Sequence, residues 1–151
     1  MMKITLLLFV ITFVHVSCYG QSKNDDYKKL IDSAIIIQTM QADKTPYQPG
    51  IYLIDAKDQA YVFTSDVDQK RFGHINLYDK KNKKLLKDGI KAWKVLPVLN
   101  GSKLIVSIID FYITYKKNNY NFANGGGATV IFEYSCDKNA WIFRETKWTG
   151  I

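Results

Sequence analysis

The stretch from Lys103 to Cys136 constrains the fold more than any other part of the chain. It reads KLIVSIIDFYITYKK, then NNYNFANGGG, then ATVIFEYSC. The two outer runs are rich in β-branched and aromatic residues, and the bridge between them is polar and glycine-rich. That pattern predicts the central hairpin of a sheet, with Asn118 to Gly127 as a ten-residue connection. Loops of that length between long strands often carry binding.

Neighbouring segments extend the sheet on both sides. Ile90 to Leu99 is a third β-rich run, and it leads into Asn100-Gly101, a strong two-residue hairpin signal. With Leu99 opposite Ser102, the register sets Leu96 opposite Ile105 and Lys91 opposite Asp110. Pro97 cannot donate to a ladder, so it marks an edge or a bulge. A last hairpin with Lys138-Asn139 at its tip pairs Tyr134 with Phe143 and Glu133 with Arg144. Its two faces are then aromatic and mixed polar, as a half-buried antiparallel sheet requires.

Earlier in the chain, Tyr27, Leu30, Ile31, Ala34 and Ile37 recur at helical spacing behind the N-cap candidates Asn24 and Asp25. Ile35 and Ile36 widen the stripe, which suits a helix lying on a sheet. Ile51–Asp55 and Ala60–Ser65 read as a small hairpin, and Ile75–Tyr78 as a short edge strand. Lys80, Lys81, Lys83, Lys84 and Lys87 flank Leu85 and Leu86 in a solvated turn or short helix closed by Gly89. The expected fold class is therefore α+β: one N-terminal helix packed on a twisted antiparallel sheet, built as a hairpin followed by a four-stranded meander.

The first twenty residues stand apart from this domain. Met1-Met2-Lys3 precedes an apolar run from Ile4 to Val14, interrupted only by threonines, and then small and polar residues. This is the anatomy of a secretory signal, too short for a permanent membrane span. Two cleavage readings stand side by side. One ends the signal at Gly20, before Gln21. The other takes Val16-Ser17-Cys18 as resembling a bacterial lipobox, leaving Cys18 as a lipidated N-terminus, although His15 stands where Leu is usual. Both readings export the protein, to the periplasm, the medium or a lipid anchor in the envelope, and 21–151 forms a single domain. The compact signal resembles those of exported Bacteroidetes proteins. If Cys18 is removed or lipidated, Cys136 is the only thiol and forms no intramolecular disulfide.

Charge and residue inventory then narrow the function classes. The chain carries a formal charge of +7 at pH 7. Export argues against nucleic acid as the counterpart of that charge and leaves a protein or glycan partner in the envelope. Contact with membrane is expected only through a lipid anchor at Cys18. His74 is the sole histidine after the signal and lacks nearby ligands, so no metal or other cofactor is implied. Asp66-Val67-Asp68 begins like a calcium loop, but Lys70 and Arg71 fall where that loop needs an oxygen ligand and glycine. Gly125-Gly126-Gly127 precedes a strand rather than a helix, which suits a flexible turn or a close backbone approach, not a phosphate cradle.

Three candidate sites remain. Asn118, Asn119, Tyr120, Asn121, Phe122 and Asn124 combine amide hydrogen-bonding groups with flat apolar rings, a mixture fit for a sugar, a peptide or a protein partner. The alternative is that both rings fold back onto the sheet while the asparagines occupy turn positions. Asp110, inside an apolar strand, is the one candidate acid or base, with Tyr112 beside it. A cross-strand ion pair with Lys91 would account for it structurally. The lysine-rich 80–94 segment is a third surface, suited to an acidic partner.

The order of elements across residues 25–148 resembles the cystatin-like and nuclear-transport-factor-2-like superfamily. That resemblance implies a curved sheet wrapped around a helix and, in the enzymes and carriers of the group, a pocket between them. No position here matches their catalytic motifs, and no clear second helix precedes the first hairpin. Together these readings favour an exported, non-enzymatic binding domain of the inhibitor or immunity type. The competing reading is a small pocket enzyme or ligand carrier using Asp110.

Overall fold

The computed structural model describes residues 24–42 and 50–150. The signal segment and Cys18 lie outside the described residues, as do Gln21 to Lys23. Among the described residues no helix is long and apolar enough to cross a membrane. Helix α1 (Asn24–Ala42) leads to β1 (Ile51–Ile54), a one-turn helix α2 (Asp66–Gln69) and β2 (Gly73–His74). A 3-10 turn (Lys80–Asn82) runs into α3 (Lys83–Asp88), and four long strands follow: β3 (Ile90–Asn100), β4 (Lys103–Lys116), β5 (Asn119–Ser135) and β6 (Ala140–Thr149).

The class is α+β as expected, but the sheet is mixed. Its six strands run in the order β2-β1-β3-β4-β5-β6, and β1 lies parallel to both β2 and β3. The expected first hairpin is replaced by one antiparallel bridge, Ile54 to Ala60. The reason is competition for its backbone. Donors that a second strand would need go instead to side chains, Ala60 N–H to Asn76, Phe63 N–H to Gln69 and Thr64 N–H to Asp32. The edge strand likewise falls on Gly73–His74 rather than 75–78, where Ile75 and Leu77 turn inward as core.

The β3–β4 turn centres on Gly101-Ser102, with Asn100 opposite Lys103. Only Gly101 of that pair takes positive φ, +59°, the role glycine fills at the first central position of a hairpin turn. The register therefore moves by two residues from the expected one. Every side chain keeps its face, but Asp110 lies opposite Trp93 and Lys91 opposite Tyr112. The last hairpin moves in the same way, pairing Tyr134 with Trp141 and Phe132 with Phe143. A bulge at Arg144 still lets its Nε reach Glu133 at 2.8 Å. Pro97 sits on the part of β3 that extends past β1, an edge position.

The largest difference is the central bridge. Asn119 to Gly125 is strand, not loop, and the turn is only Lys117-Asn118, both at positive φ (50° and 63°). This two-residue tip matches the twist of the flanking strands. The glycine run is a bulge in which Gly125 and Gly126 oppose the single residue Asp110. Here β5 passes so close to its neighbours that a Cβ on Gly127 would overlap the Ile108 carbonyl oxygen. That close approach, not a flexible turn, accounts for Gly127, and a similar approach to the Thr149 carbonyl accounts for Gly126.

The core is split between the two faces of the sheet. On one face Ala34 and Ile35 of α1, with Tyr61, Phe63 and Phe72, cover Trp93, Val95, Val106, Ile108, Val130 and Phe132. On the other face, towards the opposite end, Ile75, Leu77 and Leu86 cover Ile90, Ala92, Ile113 and Tyr115. Burying Leu86 completely is worth roughly 1.5–3 kcal/mol, and this anchors α3 under the tip of the β4–β5 hairpin. Cys136, in the β5–β6 turn, is not a free thiol.

Candidate functional site

Docking of α3 brings two sequence-distant lysine groups together. A broad concavity of about 890 Å³ is lined by Lys83, Lys84 and Lys87 from α3 and by Tyr115 to Asn118 from the hairpin tip. Lys116 and Lys117 bring its cation count to five, and none of these lining residues is acidic. The Asn/aromatic group and the lysine-rich segment singled out in the sequence thus meet at one place, through Asn118.

A hydrogen-bonded relay fixes the geometry. Lys83 Nζ donates to the Tyr115 hydroxyl at 2.8 Å, and that hydroxyl donates to Asn118 Oδ1 at 2.9 Å. The Lys83 ammonium also lies 4.7 Å from the centre of the Tyr115 ring. The hydrogen bond to Tyr115 holds the Lys83 pKa above its ordinary value, so this charge persists at any physiological pH. Tyr115 is itself 8% exposed and forms part of the core, so the relay stands on a rigid base.

The other members of the Asn/aromatic group do not form one surface, because the strand pleat divides them. Tyr120 packs against Tyr115 (4.7 Å between ring centres) and Tyr78 (5.0 Å), and Phe122 against Phe111 (5.6 Å). Both rings have folded back onto the sheet. Asn119 and Asn121 point to the opposite face and are exposed. Asn124 accepts the Gly126 N–H at 2.8 Å and so stabilises the bulge.

Asp110 forms no ion pair with Lys91 and instead faces the α1 side of the sheet beside Trp93. It lines a smaller cavity of about 250 Å³ between helix and sheet. Tyr112 does not line this cavity with it; its hydroxyl donates to the Asp88 carbonyl at 2.9 Å. Asp66 and Asp68 belong to α2, where Asp68 lies 3.7 Å from Arg71. Among the described residues no group of His, Cys, Asp and Glu is arranged to hold a metal.

One buried polar cluster was not anticipated from sequence. Asp32, on the buried side of α1, accepts hydrogen bonds from Lys28 Nζ (2.9 Å), the Tyr61 hydroxyl (2.7 Å) and Thr64 N–H (2.8 Å). Burial raises its pKa, but the bonds from Lys28, Thr64 and Tyr61 together outweigh this and hold it below the usual carboxylate value. Burial and the same carboxylate push the Tyr61 hydroxyl well above its ordinary value. With both oxygens engaged, Asp32 clamps α1 to the segment that replaces the first hairpin. Comparison with family models, curated proteins and solved structures finds no match for this chain.

Proposed function

We propose that the protein is an exported, non-enzymatic binding domain that docks an anionic glycan on the five-lysine concavity. One observation carries this reading: five cations from two separate elements converge on one surface with no acid among them. Lysine ammoniums are hydrated point charges on flexible stems, suited to sulfate or carboxylate groups repeated along a chain. Tyr115 is the sole apolar ring lining the concavity, so an acidic protein would find few of the buried anchors that dominate protein interfaces. The inhibitor or immunity role is the protein-partner form of the same reading. A relation to cystatin-like and nuclear-transport-factor-2-like folds rests on a helix packed against an antiparallel meander.

The test is retention on immobilised heparin, a model acidic glycan, over a salt gradient. Lys83→Glu, Lys116→Glu and Lys117→Glu combined should abolish retention. The same charge change made at Lys29, Lys103 and Lys138, outside the concavity, should reduce it only slightly. Equal losses in the two triple variants would show that net charge alone is responsible and would end the site assignment. Retention of an acidic protein but not of heparin would transfer the site to a protein partner.

A further inference from the structure

The cavity beside Asp110 has the opposite chemistry from the lysine concavity and is independent of it. We propose that it binds the head of a small organic cation, a primary or methylated ammonium. Its walls are Gln38 from α1, Trp93 from β3, Asp110 from β4, Gly125 and Gly127 from β5, and Trp148 from β6. The bulge makes the space: where other strand residues would project side chains under the helix, the glycines project none.

Two acceptors here, the Gln38 side-chain carbonyl and the Asp110 carboxylate, call for a donor or a positive charge. Gln38 is 2% exposed, and its side-chain carbonyl Oε1 has no hydrogen-bond partner. Buried acceptors are satisfied in nearly all native sites, so one aimed into a cavity is an attachment point for a donating ligand. Among the described residues Asp110 is the only charged residue in the lining, and its side chain takes part in no ion pair or hydrogen bond. Two indoles complete the environment. Trp93 is 4% exposed and held by Phe72, with ring centres 6.0 Å apart, while Trp148 is 46% exposed and forms the outer wall.

Carboxylate, amide carbonyl and indole faces all attract an ammonium group. An anion would be repelled by Asp110. A purely apolar ligand would leave Gln38 unpaired and strip water from the carboxylate. The volume equals roughly eight water molecules, which admits a head group of a few heavy atoms with its substituent passing Trp148 to solvent.

The experiment titrates the purified protein with n-propylammonium and tetramethylammonium, using 1-propanol and propionate at matched ionic strength as controls. Indole fluorescence and the side-chain amide resonances of Gln38 report occupancy. At least one ammonium should bind saturably and shift the Gln38 signals, while the alcohol and the acid should not. Asp110→Asn should weaken binding roughly tenfold or more, the weight of one charge-assisted hydrogen bond. Gly125→Leu gives an independent test should Asp110→Asn fail to fold. Gly125 is not at positive φ, and a Cβ there meets the Asp110 side chain only at 3.6 Å, so a side chain is accepted and fills the cavity. It should abolish binding. The proposal is overturned if neither ammonium saturates, if 1-propanol binds as well, or if both variants fold and bind as the native protein does. None of these results bears on heparin retention.

Discussion

Replacing Asp32 with alanine tests how α1 is held to the sheet. Three donors lose their acceptor, and they do not count equally. The Tyr61 hydroxyl is buried, so leaving it unpaired costs about 1–3 kcal/mol. Thr64 N–H is only partly buried and can be hydrated, adding up to about 1 kcal/mol. Lys28 has a side chain 36% exposed and returns to water at almost no cost. The expected loss is about 2–3 kcal/mol, a fall of roughly 8 °C in Tm for a domain of this size. Urea denaturation at neutral pH measures it. Removing the orphaned donor as well, with Tyr61→Phe in the Asp32→Ala background, should recover part of the loss. The folded-state pKa of Asp32 lies below its unfolded value near 3.8, so its contribution is present above that pH. It disappears as pH falls through the folded value, and acid unfolding of Asp32→Ala should lack this component. A loss under 0.5 kcal/mol, or no recovery in the double variant, would refute the orphaned-donor account.

Two other substitutions probe the parts that position the sites. Leu86→Ala removes a fully buried side chain beneath α3 and should destabilise by roughly 2–5 kcal/mol in denaturant titrations, with weaker heparin retention because three of the five lysines lose their support. Gly127→Ala puts a methyl group into the Ile108 carbonyl and should cost about 2 kcal/mol or more, read as a lowered Tm, whereas Gly101→Ala, with open space around it, should cost only the turn strain of about 1 kcal/mol.

Periodicity made the main elements legible, because it is imposed by burial. The helical stripe from Tyr27 to Ile37 and the alternation through β3 to β6 are direct records of which face meets the core. Register was less legible. Asn100-Gly101 and Gly101-Ser102 are both acceptable turns, and the choice moves the pairing by two residues without changing any residue's face. Nothing in hydrophobic alternation separates them, yet Asp110 gains or loses its partner on that choice. The polar bridge conceals its strand for a related reason. Asn and Gly are common in loops, but Asn119 to Gly125 is held as strand by the aromatic contacts of Tyr120 and Phe122 across the hairpin. Gln38 did carry a signal: it lies four residues after Ala34 and three after Ile35, on the buried stripe. Asp32 carried only its i,i+4 spacing to Lys28, since its other partners Tyr61 and Thr64 become neighbours only through tertiary folding.

The bulge at Gly125-Gly126 links the two sites. Between Gly127 and Glu133, β5 is flanked by β4 and β6; before Gly127 it pairs, among the described residues, with β4 alone. The glycines therefore mark where β6 leaves the sheet; past the pair of Ile90 with Ile113 β3 ends as well, and the β4–β5 arm that remains delivers Lys116, Lys117 and Asn118 to α3. The same residues lack side chains under α1, which leaves the space beside Asp110. A bulge normally adds one residue so that a strand can bend while its facing pattern is kept, and this one does so: Asn124 and Gly127, three apart, both oppose residues on one face. A strand without the extra residue would satisfy the ladder equally well, so pairing alone does not require three glycines. The close passage of β5 beside Ile108 and Thr149 requires glycine at 126 and 127, while the glycine at 125, where a side chain would fit, leaves open the floor beneath the helix.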